Sequence, residues 1–214
     1  MRPDAIGPYE NALRAGSTLS MVDGGGRTIH LDVRKFAGPV DEADSSVLDR
    51  ARPAVLDLGC GPGRLVAELI ARGIPSLGVD VSAEAVRMTV SRGGRALQAG
   101  MFDALPNAGR WGTVLLIDGN IGIDGDPVKV LRRAAELVAA DGEVLVETVS
   151  RRGSGQRGPT GPFRFFDGSV LHEPTFGWSV VTDAALPDLA ALSRLTVATS
   201  WRYGGRSFSA LQPR

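Results

Sequence analysis

The stretch Ala54–Leu65, reading AVLDLGCGPGRL, decides the fold. Val55, Leu56 and Leu58 make the apolar run expected of a strand covered on both faces. Gly59, Gly61 and Gly63 then remove every Cβ where the chain reverses, so a bulky ligand can approach the backbone closely. Pro62 has no amide hydrogen to lose and suits the approach to a helix. Leu65, Val66, Leu69 and Ile70 give that helix, which runs to Arg72, an apolar stripe. The amides left free at its first turn face the ligand.

The following segment narrows the ligand. Ser76–Val81, reading SLGVDV, is a second strand ending in Asp80, seventeen residues beyond Gly63. Ser82 caps the next helix, which carries Glu84 in its first turn and reaches about Arg92. An acid at such a strand tip can accept both hydroxyls of a ribose. The dinucleotide pattern G-x-G-x-x-G begun at Gly59 requires glycine or alanine at position 64, where this chain has Arg64. That disfavours a nicotinamide or flavin dinucleotide.

Together LDLGCGPGRL and GVDVS resemble the first two motifs of the class I S-adenosylmethionine-dependent methyltransferases of the small-molecule type, with the match covering Val55 to Val149. The resemblance implies S-adenosyl-L-methionine as cofactor. It also implies an α/β, Rossmann-like, seven-stranded, mostly parallel sheet with a final antiparallel hairpin strand and helices on both faces. It places Asp57, Gly59, Cys60 and Gly61 at the methionine end, Asp80 on the ribose and Val81 on the adenine. Read without the resemblance, Cys60 simply packs under the glycine turn. The family often has an acid after the third strand that contacts the adenine amino group; here Gly100 and Met101 occupy that neighbourhood. Asp103 stands in from a shifted position, or a backbone group of Met101 or Phe102 makes the contact. Met101 and Phe102 are therefore adenine neighbours, with Phe102 alternatively a plug beneath the loop.

The rest of the chain reads as one elaborated domain, 1–214. Thr18–Val22 and Thr28–Val33 flank Asp23-Gly24-Gly25-Gly26 as a hairpin, and Asp41–Arg52 reads as a helix, giving residues 1–53 the role of a cap. The cofactor core, 54–150, continues with strands at Arg95–Ala99 and Thr113–Asp118. A helix begun by Asp126-Pro127 and stopped by Asp141-Gly142 follows, and then a strand at Glu143–Val149. Alternating strands and helices mean a parallel sheet whose ligands lie beyond the strands' carboxyl ends. Arg151–Phe176, crowded with Gly, Pro and Arg, reads as a substrate loop or lid within 151–181. Ala184–Leu192 is the last helix, and Leu195–Tyr203 pairs with Ser207–Leu211 to close residues 182–214.

Composition bounds the partners. With 24 basic and 24 acidic residues the net charge is zero, which favours a small-molecule acceptor over nucleic acid. No apolar run is long enough to span a bilayer and the start lacks a secretion signal, so no membrane association and a cytoplasmic location are expected. Cys60 is the single cysteine, which excludes an internal disulfide and a cysteine metal cluster. The two histidines form no metal constellation, and no metal is expected. Only Lys35 and Lys129 are lysines, a bias that suggests a GC-rich bacterial genome.

Methyl transfer needs an aligned nucleophile, and a proton acceptor only for some substrates. Asn120, after the fourth core strand, is the first candidate, orienting a lone pair or meeting the cofactor's amino-acid portion; a turn asparagine bonded to its own backbone is the alternative. Asp118 is a candidate base or partner of the cofactor ammonium. His172, inside the lid, is a candidate base, since histidine as a residue type can take a proton at neutral pH. His30 reads as a surface or cap histidine, and Tyr9 as an aromatic that closes over the cofactor or staples the cap. Arg151, Arg152, Arg157 and Arg164 form a solvated run or an anion grip. Phe176 and Trp178 belong to the core or to an acceptor pocket. The expected function is methyl transfer to a small organic acceptor in bacterial specialised metabolism. The alternative is a methyltransferase-like cofactor-binding protein with a regulatory or non-methylating role.

Overall fold

A computed structural model of the chain describes residues 5–150 and 158–214. The amino-terminal part comprises α1 (Gly7–Ala15), β1 (Leu19–Asp23), β2 (Thr28–Leu31), α2 (Val33–Ala37) and α3 (Glu42–Leu48). The core comprises β3 (Val55–Leu58), α4 (Arg64–Ala71), β4 (Ser76–Asp80), α5 (Ala83–Ser91), β5 (Ala96–Gln98), β6 (Trp111–Leu116), α6 (Pro127–Leu137) and β7 (Val138–Thr148). The remainder is β8 (Thr160–Phe166), β9 (Phe176–Ser179), α7 (Leu186–Leu192), β10 (Leu195–Tyr203) and β11 (Arg206–Pro213).

Seven strands form the central sheet in the order β10-β11-β7-β6-β3-β4-β5. The links from β5 through β4, β3 and β6 to β7 are parallel, whereas β11 runs antiparallel to both β7 and β10. This is the sheet expected from the alternating pattern, closed by its antiparallel hairpin strand. Side-chain alternation splits the core in two. Leu56, Val114, Leu116, Val144 and Val146 bury against Val130, Leu131 and Ala134 of α6 and Leu186 and Ala190 of α7. Val55, Leu115, Leu145 and Phe208 bury on the opposite face against Val47 of α3 and Leu65 and Leu69 of α4.

The glycine turn allows a close approach between helices. Gly63 precedes α4 with φ +78°, and a Cβ there would collide with the Thr89 side chain of α5. The Thr89 hydroxyl donates to the carbonyls of Gly61 and Ala85 at 3.0 Å each, tying the turn to α5.

Four local expectations change. The helix read over Asp41–Arg52 is shorter: Asp41 and Asp44 form a reciprocal capping box, and α3 ends at Leu48. The early strand ends at Leu31, because Asp32 accepts a bond from the Lys35 amide and starts α2. Helix α1 arises in a start that reads as polar, its buried Ala12 and Leu13 finding partners only in the folded chain. The Asp141-Gly142 stop does not delay the strand, since β7 begins at Val138, bulged opposite Trp111–Thr113.

The larger correction concerns Arg151–Phe176. Its described part is no simple loop, because β8 pairs with β1 and β9 with β8 in a second, antiparallel sheet ordered β2-β1-β8-β9. Met21 stands opposite Phe165 and Asp23 opposite Phe163. Leu19, Met21, Phe163, Phe165, Phe176 and Trp178 pack in one cluster with α1. Helix α1, the β1–β2 hairpin and the described part of the inserted segment are thus one layer. Among the described residues, no helix is long and apolar enough to cross a membrane.

Candidate functional site

A cavity of about 470 Å³ lies between the carboxyl ends of the core strands and the four-stranded layer. Gly59, Cys60, Gly61, Asp80, Val81, Met101, Phe102, Asp118 and Asn120 all border it. The sequence-selected residues therefore converge, apart from Asp57 and His172.

The glycine turn sets the floor. Gly59 and Gly61 have φ +77° and +53°, and a Cβ on Gly59 would meet the Asn120 amide at 2.8 Å. Asn120 Nδ2 donates to the carbonyls of Leu58 and Gly59 at 2.9 Å each, which fixes the amide and leaves Oδ1 without a donor among the described residues. Asn120 thus clamps the turn to the loop after β6 as well as facing the cavity. Cys60 turns its sulfur toward β4, where a Cβ on Gly78 would meet it at 2.5 Å. Burial, with Asp57 and Asp80 adding, pushes its thiol well up, so it stays protonated.

Asp80 ends β4 with its carboxylate accepting the Gly61 and Ser82 amides, each at 2.9 Å. Burial raises its pKa, and those two amides work against the rise. Helix α1 closes this side: Glu10 Oε1 accepts from the Ser82 hydroxyl at 2.9 Å and the Glu84 amide at 3.3 Å. The Tyr9 hydroxyl rests on the turn, 3.1 Å from where a Cβ of Gly61 would stand. Burial above all, then the charge of Asp80, pushes it well above the ordinary tyrosine range, so it is a neutral hydrogen-bond donor.

Asp57 sits behind the turn at 2% exposure. Burial pushes its carboxyl up to about 7; Arg64 opposes this, while Asp118 and Asp80 add to it. Arg64 is the residue whose importance the sequence does not advertise. It opens α4 at 6% exposure and forks onto Asp44 at 2.8 and 2.9 Å, while its third nitrogen reaches Asp118 Oδ2 at 2.6 Å. Arg206 of β11 forks onto Glu147 at 2.8 Å twice and reaches Asp44 at 2.7 Å and Asp118 Oδ1 at 3.3 Å. Lys35 of α2 lies 3.8 Å from Asp118 Oδ1. Both oxygens of Asp118 therefore face cations, and its backbone amide donates to Glu147 at 2.8 Å. Burial would raise the Asp44 carboxyl, but its bonds to Arg64 and Arg206 hold it well below the ordinary range. These partners come from five separate elements, a convergence that no local spacing reveals.

The loop after β5 is held by Arg133, which donates to the carbonyls of Met101 at 2.9 Å and Asp103 at 2.6 Å. Asp103 Oδ2 accepts the Gly100 amide at 2.7 Å, and this acid borders the cavity. Lys129 Nζ stands 4.0 Å from the centre of the Phe102 ring.

His172 lies outside the cavity lining, with Nε2 2.8 Å from Asp167 Oδ2 at the surface. That placement separates it from the converging residues. His30 bonds Ser20 at 3.0 Å within the second sheet. Trp178 borders the cavity, whereas Phe176 packs beneath Phe165, ring centres 4.5 Å apart. Arg164 pairs with Glu173 at 2.9 Å; Arg151, Arg152 and Arg157 lie outside the described residues. Met21, Leu31, Phe36 and Phe165 complete an apolar wall that sequence reading missed, because it forms only when β1 pairs with β8 across the whole core and α2 packs beside them.

Comparison with known proteins adds the family. The family model for a methyltransferase domain matches residues 31–182. No curated protein matches. Among solved structures, an S-adenosyl-L-methionine (SAM)-dependent methyltransferase from Bacteroides fragilis, in complex with S-adenosyl-L-homocysteine, aligns with TM-score 0.75 at 19% identity, covering 99% of this chain and 93% of that one. The 1,6-didemethyltoxoflavin-N1-methyltransferase of Burkholderia thailandensis, bound to 1,6-didemethyltoxoflavin and S-adenosylhomocysteine, aligns with TM-score 0.61 at 18% identity, covering 80% and 78%. An O-methyltransferase from neocarzinostatin biosynthesis, bound to S-adenosylmethionine and 2-hydroxy-5-methyl naphthoic acid, aligns with TM-score 0.55 at 21% identity, covering 75% and 48%. At these identities the likeness is one of fold.

Proposed function

Because the chain belongs to the methyltransferase domain family, we propose that it transfers a methyl group from S-adenosyl-L-methionine to a small organic acceptor. The observation that carries this reading is one cavity holding a Cβ-free turn, a strand-tip acid and an apolar wall. The residues fit the cofactor. Gly59 and Gly61 leave the backbone open, Asp57 is a buried acid suited to a cationic neighbour, and Asp80 is positioned for ribose hydroxyls. Val81, Met101 and Phe102 border the space suited to adenine, with Asp103 beside them for its amino group.

When bound, the cofactor supplies an electrophilic methyl group on a sulfonium. The chain's contribution is orientation, worth up to about 7–11 kcal/mol in favourable systems. Asn120, its amide locked by two carbonyls, offers Oδ1 to one face of the cavity. Asp118, held by Arg64, Arg206 and Lys35, fixes the loop and does not serve as base. His172 takes no part in this reading, since it lies apart from the lining residues. A place in bacterial specialised metabolism is supported by the arginine-over-lysine bias and by the neocarzinostatin and toxoflavin enzymes among the structural relatives.

Titration calorimetry with S-adenosylmethionine at pH 8 and pH 6 tests this function. The positively charged ligand favours ionised Asp57, so below about pH 7 binding must displace a proton. Affinity is expected to fall about tenfold from pH 8 to pH 6, since each pH unit below the pKa costs up to tenfold. Asp57→Asn should bind more weakly at pH 8 and lose the pH dependence. Absence of binding at both values would refute the function.

A further inference from the structure

Resting on the proposed methyl transfer, we propose that the acceptor is an uncharged aromatic amine, seated against Trp178 and methylated on its nitrogen. Three independent features of the cavity converge on this class. The first is the wall. Met21, Leu31, Phe36, Phe165 and Trp178 are apolar, and a Cβ on Gly119 would stand 3.4 Å from Trp178 Cζ2. The indole therefore lies on the turn that joins Asp118 to Asn120, and aromatic rings stack well against such a surface.

The second is charge. The lining carries the carboxylates Asp80, Asp103, Asp118 and Asp124, against one cation, Arg64, which is already bonded to Asp44 and Asp118. A carboxylate or phosphate on the acceptor would enter an acidic space with no unengaged cation among the described lining residues. Charges buried without a partner are costly. An uncharged ring escapes that cost.

The third is that each carboxylate among the described lining residues already has a partner. Asp118 is committed to cations, Asp80 to two backbone amides, Asp124 to Lys129 at 3.3 Å, and Asp103 to the Gly100 amide. Tyr9 stays protonated, and His172 lies outside. A neutral hydroxyl needs its proton removed to become a good nucleophile. An aromatic amine at neutral pH already presents a lone pair. That pair forms the new C–N bond as the C–S bond breaks and leaves its electrons on the thioether sulfur; the N-methylated cation then releases its proton to water. The positive charge passes to nitrogen among carboxylates that favour it. Asn120 Oδ1 is the acceptor for an amine N–H and directs the lone pair.

The test uses the full chain saturated with S-adenosylhomocysteine, so that binding is read without turnover. Calorimetry compares three molecules of one shape: 1-naphthylamine, 1-naphthol and 1-naphthoate. The amine should bind several-fold more tightly than the naphthol and at least tenfold more tightly than the naphthoate. Trp178→Ala should weaken amine and naphthol alike, whereas Asn120→Leu should remove the preference between them. S-adenosylhomocysteine affinity, measured on each variant, reports whether the glycine turn survives. With methyl-labelled cofactor and wild-type protein, label should appear on the amine and not on the naphthol. Equal or tighter binding of the naphthoate, or binding of none of the three while S-adenosylhomocysteine binds, overturns the inference. Failure of S-adenosylhomocysteine itself to bind would instead strike the proposed function.

Discussion

Arg64→Leu is expected to lower folding stability by about 3–5 kcal/mol, the usual consequence of removing one partner from a buried charge pair. Arg64 is nearly inaccessible and makes three bonds to two carboxylates. The leucine variant would leave Asp44 and Asp118 leaning on Arg206 and Lys35 alone. Urea denaturation, read by circular dichroism, gives the loss directly. Arg64→Lys should recover only part of it, because an ammonium cannot reproduce the planar fork onto Asp44. A leucine variant as stable as wild type would mean that the network contributes nothing net to the fold.

The second large effect concerns Asp80. Hydrogen bonds to a charged carboxylate contribute about 1.5–3 kcal/mol each, so losing two to a ribose should cost about 3 kcal/mol or more. At about 1.4 kcal/mol per tenfold, Asp80→Ala is expected to weaken S-adenosylmethionine binding by at least about a hundredfold. The same carboxylate bonds the Gly61 and Ser82 amides, so part of the loss reflects a loosened turn. Asp80→Asn keeps the shape and separates the two contributions: it should bind better than the alanine variant and worse than wild type. Calorimetry on variants shown to be folded provides the measurement, and unchanged affinity in either would remove Asp80 from the ribose site.

What could be read from the chain beforehand divides along physical lines. The central sheet was legible because parallel strands buried on both faces leave uninterrupted apolar runs, and because Gly59, Gly61 and Gly63 mark the bend after the first of them, each with positive φ. The convergence of Asp80, Met101, Phe102, Asp118 and Asn120 on one cavity followed from a rule about strand ends. Of the second sheet only the β1–β2 hairpin was legible. Its other strands are short, and the second neighbour of β1 is β8, on the far side of the entire core in sequence. Pairing of that kind leaves no local period to detect. Arg64 was informative only as a mismatch to another family's pattern; its function as the hub of a charge network appears once α2, α3, α4, β7, β11 and the loop after β6 are brought together. The place of His172 could not be read either, because the path of its segment is not local: it stands beside Asp167 and apart from the cavity lining.

The layer over the cavity joins β1 and β2 from the start of the chain to β8 and β9 from after β7. Closing so long a loop has an entropic cost that is recovered only once the parallel core has drawn the two segments together. Met21 of β1 and Phe165 of β8, far apart along the chain, stand opposite each other and border the same cavity, so a substitution in either segment alters one and the same wall.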